Sequence, residues 1–302
     1  MKYDGHRLAG NAPPPAAAAQ GSGATGMAAA TITKAGTRAA SVLLDVLNGL
    51  GDWTLFALST MRWLFTRRPY ARTLLPVCLA VGYQSAAVVV VTGFFIGMVL
   101  AVHSVTQFQR FGFVTWTGSV VNGSVIRELG PVLAATMLAG RVGSAMAAEI
   151  ATMRVSEQID ALSCLGANPV RYLVVPRFLA CVILIPLLTA VADIGGVIGS
   201  ALICIQIQGV EAHHYWRHSR DFIQMWDILA GMVKPIFFGA AIALISCHRG
   251  FRSRPGAEGV GRAATQAFVL SFVAILVIDF FLALFLNTIQ HRMVMWGSWL
   301  FE

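Results

Sequence analysis

The sequence predicts an all-α integral membrane protein, with an N-terminal interfacial amphipathic helix followed by five transmembrane helices. Three observations carry this prediction. Of the 302 residues, 57% are hydrophobic and only 12% are charged, whereas a soluble domain carries about a quarter charged residues. The mean hydropathy is +0.70. The apolar residues are also gathered into runs long enough to cross a bilayer core, for which about 20 residues suffice. Such patterning argues against a soluble two-domain enzyme.

Taken in order, residues 1–38 form an Ala/Gly/Pro-rich tail with too little apolar surface to offset ordering entropy, and disorder is expected there. The stretch from Gly10 to Ala30 is not an apolar core with a cleavage site, so the internal spans are expected to direct insertion. Over 39–70, polar residues recur at helical steps at Ser41, Asp45, Asn48, Asp52, Ser59 and Arg62, between Leu43, Leu47, Leu50, Phe56 and Leu64. That pattern suits an amphipathic helix lying in the membrane interface, the alternative being a helix packed on a soluble core. The membrane domain then occupies 71–302, with spans expected at about 83–108, 124–153, 172–206, 225–247 and 263–289. The first apolar run is longer than one crossing needs, which implies a tilted helix with a lead-in.

Orientation follows from Lys and Arg near the span ends. The tail and first helix hold eight of them, the second-to-third link holds Arg154 and Arg171, and the fourth-to-fifth link holds Arg249, Arg252, Arg254 and Arg262. The other links hold only Arg110, Arg217 and Arg220, and the C-terminus holds Arg292. The N-terminus is therefore expected in the cytoplasm and the C-terminus on the external, periplasmic side. The net charge of +8 thus reflects topology, and nucleic acid is not an expected partner because the basic residues do not gather with aromatics on one soluble face. Trp53, Trp63, Trp116, Trp216, Trp226, Trp296 and Trp299 fall near predicted helix ends, as an aromatic belt requires. The five cysteines are dispersed without a C-x-x-C pair and indicate neither a disulfide framework nor a metal cluster. No internal repeat is evident, which disfavours an inverted-repeat transporter.

The second span carries the most chemistry. Two ladders of small residues, Ala139/Gly143/Ala147 and Gly140/Ser144/Ala148, let neighbouring helices approach closely and predict a central position. In a straight α-helix Arg127, Arg141 and Glu149 would share one face. Each intramembrane charge costs about 3 kcal/mol or more at mid-bilayer, so such groups mark a polar pathway, a head-group contact or a packing pair. Arg127 and Glu128 fit either a lipid head-group contact or a structural ion pair. For Asp193, Lys234 and Asp279, pairing is favoured over a proton relay, with Lys234 and Asp279 the first pair to test.

Three further segments carry residue types that can do chemistry. Arg154 to Leu162 reads as a short polar helix with Ser156 as its N-cap, suited to docking a partner or acting as an interfacial connector. The glycines of 256–261 lack the preceding strand and Gly-Lys-Ser/Thr ending of a phosphate loop, and read as a turn. His213, His214 and His218 with Glu211 lack a ligand spacing and read as loop residues, so no metal site is expected.

The ordered motifs Arg127-Glu-Leu-Gly-Pro-Val, Ala139-Gly-Arg-Val-Gly-Ser-Ala, Ala148-Glu-Ile, Glu157-Gln-Ile-Asp-Ala-Leu and Pro169-Val-Arg-Tyr-Leu-Val-Val-Pro-Arg177 closely resemble the MlaE/YrbE permease family. Thr92-Gly-Phe-Phe-Ile-Gly-Met-Val-Leu100 and Gly256-Ala-Glu-Gly-Val-Gly-Arg262 extend the likeness, which covers roughly residues 40 to 290. The resemblance implies a homodimeric, multi-pass permease of the bacterial inner membrane that is not itself an enzyme. It moves phospholipid between inner and outer membranes. The implied partners are a cytoplasmic MlaF-like ABC ATPase, which holds the ATP and Mg that this chain lacks, an MlaD-like MCE-domain protein, and a small STAS-type subunit. By the same likeness, Arg127 and Glu128 with Phe94, Phe95 and Val99 belong to the substrate pathway, and Arg154, Glu157, Gln158 and Asp160 to the ATPase-coupling helix. Arg141, Glu149, Asp193, Lys234 and Asp279 remain the intramembrane polar set. The chain departs from the family pattern at Asn168, where many members carry Asp, in its long tail, and in the Arg-rich loop Gly250 to Pro255. The rival readings are an ion-coupled secondary transporter of hydrophobic compounds and a membrane scaffold that transports nothing.

Overall fold

The computed structural model describes residues 48–49, 51–66 and 71–299. The expected tail over 1–38 and the outer parts of the expected interfacial helix, 39–47 and 67–70, lie outside the described residues. The chain divides into two compact units, Met1–Thr54 and Leu55–Glu302. In the first, residues 51–54 are helical, and the Thr54 hydroxyl donates to the Gly51 carbonyl at 2.7 Å.

The larger unit is built from helices alone among the described residues. Its first helix, α1 (55–66), is amphipathic in an inverted sense. Leu55, Leu58, Met61 and Phe65 form one exposed apolar face, while Phe56 turns inward to meet His248 edge-on, with ring centroids 5.4 Å apart. A helix that shows its apolar face outward is suited to lie against acyl chains.

Five helices among the described residues are long and apolar enough to cross a membrane: Thr73–Phe111, Thr117–Val155, Val170–Ile207, Met225–Phe251 and Ala257–Arg292. The first consists of α2 (Ala71–Val81) and α3 (Tyr83–Phe111), separated at Gly82. The second runs through α4 (Thr117–Ser124), a π turn (Val125–Leu129), α5 (Gly130–Leu138), a second π turn (Ala139–Gly143) and α6 (Ser144–Val155). A short helix, α7 (Gln158–Cys164), leads to the third, made of a π turn (Val170–Val174), α8 (Val175–Ala201) and a further π turn (Leu202–Ile207). The amphipathic α9 (Ala212–Phe222) joins it to α10 (Met225–Phe251), and α11 (Ala257–Trp299) closes the bundle. The bundle thus has an α7 end and an α9 end.

Helix α8 lies between α3 and α10, and α6 packs on α10 and α11. The contact between α3 and α8 is backbone on backbone. A Cβ on Gly97 would fall inside contact distance of the Gly196 carbonyl, and one on Gly199 would collide with the Phe94 carbonyl. In lipid, where apolar burial drives little association, such close approach is a main source of helix–helix attraction. The ladder expected in the second span behaves as its pattern implies. Ala139 and Ala147 are fully buried, and a Cβ on Gly143 would meet Ser246 of α10 at 2.9 Å.

Two local expectations are corrected. Arg141 and Glu149 share a face, but Arg127 is not on it, because the π turns close i→i+5 bonds and rotate the helix beyond them relative to a straight α-helix. Arg127 points to α10, whereas Arg141 donates from Nη1 to the Ser85 hydroxyl at 2.5 Å on α3. Nor does Ser156 cap the short helix. Its hydroxyl donates back to the Thr152 carbonyl at 2.8 Å, and α7 starts after Glu157, which turns the chain at φ 60°.

Candidate functional site

A cavity of about 750 Å³ opens between the first π turn of span two, the start of α10, and α11. Its charged groups come from two elements brought together by one glycine. On α10, Asp227, Gly231 and Lys234 stand at i, i+4 and i+7 and so share a face. Gly231 lets that face settle against the Ile126 carbonyl of the π turn, where any side chain would collide. Asp227 and Lys234 then meet the two residues that follow Ile126.

Arg127 Nη2 lies 2.7 Å from Asp227 Oδ1, and Lys234 Nζ lies 2.5 Å from Glu128 Oε2. Lys234 also reaches Asp279 Oδ1 of α11 at 3.1 Å, as an ion pair rather than an aligned hydrogen bond. The pairs are asymmetric in exposure: the Asp227 and Lys234 side chains are 2% exposed, while those of Arg127 and Glu128 are 39% and 50% exposed. The α10 charges are therefore a buried foundation, and Arg127 and Glu128 are the groups that face the cavity. Phe222 lies under the Arg127 guanidinium at 5.9 Å, and Trp226, Phe280 and Leu284 make much of the wall apolar. Two cations and two carboxylates against hydrocarbon suit an amphiphile whose head carries both signs of charge.

Asp227 was not singled out from sequence. The signal was the capping box that opens α10, in which the Gln224 backbone N–H donates to Asp227 Oδ2 at 2.9 Å. The same carboxylate thus starts the helix and holds Arg127. Phe94, Phe95 and Val99 do not line this cavity. Phe94 packs toward α8, and Phe95 and Val99 are more than half exposed on the outer side of α3, because the glycine contact with α8 directs that helix away from α11.

The remaining polar residues form separate sites. Arg141 and Glu149 line a cavity of about 370 Å³ beside α2, together with Arg177, which pairs with Glu149 at 2.8 Å and also donates to the Leu173 carbonyl. Asp193 joins none of these pairs. It is buried on α8 against Gly130, and its Oδ1 has no hydrogen-bond partner among the described residues. A relay through Asp193, Lys234 and Asp279 is therefore not assembled in this structure.

At the α7 end, Arg154 Nη1 and Asp160 Oδ1 pair at 2.7 Å, with both side chains largely exposed. Glu157 and Gln158 are exposed as well. Ile159, 4% exposed, anchors α7 in an apolar cluster with Ile150, Leu173, Val174 and Cys247. At the α9 end, a buried network that sequence reasoning missed ties α9 to the bundle. Asn122 donates to the Tyr215 and Ser219 oxygens, each at 3.0 Å, and Ser200 donates to Asn122 Oδ1 at 2.8 Å. Burial pushes the Tyr215 phenol above its ordinary value, against the lowering effect of these hydrogen bonds, so it stays protonated. The i, i+4 spacing of Tyr215 and Ser219 on a strongly amphipathic helix was the available clue. His218 stacks on Trp116 at 5.0 Å and His214 pairs with Glu211 at 3.4 Å. Among the described residues no three His, Cys, Asp or Glu side chains form a metal-binding group.

Comparison with known proteins places this architecture. The family model described as "Permease MlaE" matches residues 74–285. A probable ABC transporter permease protein of Rickettsia felis is 41% identical over 231 residues, 76% of this chain and 89% of that protein. The intermembrane phospholipid transport system permease protein MlaE of Haemophilus influenzae is 35% identical over 67% of this chain and 77% of its own length. The chloroplastic protein TRIGALACTOSYLDIACYLGLYCEROL 1 of Arabidopsis thaliana is 39% identical, over 68% of this chain and 58% of that protein.

Proposed function

This chain belongs to the MlaE permease family and is a multi-pass ABC-transporter permease rather than an enzyme; from that membership we propose that it moves phospholipid or a related lipid between the bacterial inner and outer membranes, powered by a separate ATPase. The observation that carries this reading is the 750 Å³ cavity, in which buried Asp227 and Lys234 hold half-exposed Arg127 and Glu128 toward an apolar space. A phosphate suits Arg127 and an ammonium suits Glu128, while acyl chains suit the Phe280 and Leu284 wall.

The α7 end faces the cytoplasm in this proposal. There the exposed polar side of α7, with Arg154, Glu157, Gln158 and Asp160, seats the ATPase, which binds ATP and Mg. Nucleotide-driven movement of the ATPase is passed through Ile159 to the packed ends of α6, α10 and the third span. Two copies of the chain pair through their exposed apolar faces, so that Phe95 and Val99 of α3 join the pathway only in the pair. On the opposite side an MCE-domain protein takes up or delivers the lipid, and a small STAS-type subunit joins the ATPase.

The experiment is photo-crosslinking of a diazirine phospholipid to the purified protein. Wild type is expected to label along the cavity. Arg127→Ala with Glu128→Ala is expected to lower labelling about tenfold, since each lost charge-assisted contact is worth about 1.5–3 kcal/mol before solvent screening. Unchanged labelling in the double variant would remove the cavity from the pathway.

A further inference from the structure

The turn between α10 and α11 holds a third cavity, about 320 Å³, at the α7 end. Arg249, Arg252, Arg254 and Arg262 line it, and no carboxylate does. The arginines come from three places: the last turn of α10, the connecting loop and the second turn of α11. Two glycines bring them together. Gly256, at φ 92°, reverses the chain, and Gly259 lets the Arg254 carbonyl lie against the first turn of α11 where a Cβ would collide. The Ser253 hydroxyl also lines the cavity, is shielded from solvent, and has no hydrogen-bond partner among the described residues.

No carboxylate stands among the guanidinium groups of this lining, and an anion between them would lower their mutual repulsion. Guanidinium forks match phosphate oxygens in pairs, and the first-turn amides of α11 add positive potential. The cavity lies where two membrane spans end, the depth at which head-group phosphates sit. Phe56 of α1, whose helix turns an apolar face outward, packs on Phe251 beside it. Unlike the 750 Å³ cavity, this one offers nothing to a positively charged head-group amine.

We propose that the arginine cavity between α10 and α11 binds the phosphate of an anionic phospholipid head group in the leaflet at the α7 end. Lipid held there is not cargo; it bridges α10 to α11 and fixes the turn beside α7. The site is independent of the transport pathway, so its test uses retained lipid rather than transport.

The full chain is reconstituted in phosphatidylcholine nanodiscs containing a minor share of phosphatidylglycerol, then extracted and examined by native mass spectrometry. Wild type is expected to retain phosphatidylglycerol in excess of its share. Arg254→Ala with Arg262→Ala is expected to weaken that retention about thirtyfold, as loss of two near-surface charges predicts. Arg217→Ala with Arg220→Ala, on α9, should leave it unchanged. If the alanine pair does not fold, Arg254→Lys with Arg262→Lys keeps the charge and loses the fork, and should still lower retention. Equal retention in wild type and the cavity variants overturns the proposal, as does equal loss in the α9 variant. Stabilisation of detergent-purified wild type by inorganic phosphate alone, equal to that by phosphatidylglycerol, would assign the site to soluble phosphate instead.

Discussion

Lys234 is the cation on which the large cavity rests, because it serves two carboxylates from a position 2% exposed to solvent. Breaking a buried pair by removing one member costs about 3–5 kcal/mol, since the remaining charge is left without compensation. Lys234→Met is therefore expected to lower the thermal unfolding midpoint of the purified protein sharply. Glu128→Gln removes a charge that is half exposed and keeps a hydrogen-bond acceptor for Lys234, so its stability cost should stay within about 1 kcal/mol. Lipid crosslinking should fall in both. A Glu128→Gln variant as unstable as Lys234→Met would show that Glu128 is structural rather than cavity-facing. The pairing of Lys234 with Asp279 was readable in sequence, because lone charges in apolar spans need partners. The third member, Glu128, was not, since nothing in linear order relates it to Lys234. Asp227 escaped notice because it stands at a helix start, where a carboxylate is unremarkable.

Among the elements, α7 shows how little holds a short helix in place. One buried side chain, Ile159, and one exposed ion pair fix it, and the residue before it adopts a backbone angle that disfavours side chains. Ile159→Ala is expected to cost about 2–4 kcal/mol of local stability and to reduce co-purification of the ATPase. Glu157→Gly should preserve the turn, while Glu157→Val should strain it by about 1 kcal/mol or more. Equal ATPase capture by wild type, Ile159→Ala and Glu157→Val would remove α7 from the coupling role. Sequence marked this segment as a polar helix after a span but mistook its start, because a Ser followed by acidic residues is the usual N-cap signature. The left-handed Glu157 has no such signature. The π turns were equally silent: they lie where the second span packs on α10 and α11, whereas periodicity assumes a uniform helix.

For the molecule as a whole, exposure separates inner from outer spans. The most apolar stretch of the fifth span is 11% buried and that of the first 28%, against 50% for the second, third and fourth. Apolar faces this open suit lipid or a second copy of the chain. The distribution of Lys and Arg predicts which way the bundle sits. In a cysteine-free background, exposed Ala257→Cys is expected to react with a membrane-impermeant maleimide only after the cytoplasmic side is opened, and exposed His213→Cys in intact spheroplasts. The reverse pattern would invert the topology and move the proposed ATPase seat to the wrong side.

Membrane residence, the count of spans and the family were already decided by composition and by motifs in order, because the bilayer imposes one rule on every segment that crosses it: long, apolar and helical. The charges that had to matter were visible for the same reason, as each is costly in hydrocarbon. Which of them meet depended on three-dimensional packing. Gly231 against Ile126, the register shifts of the π turns and the backbone contact of α3 with α8 set those meetings. They arise from fitting surfaces between helices distant in sequence, where neither spacing nor propensity carries information.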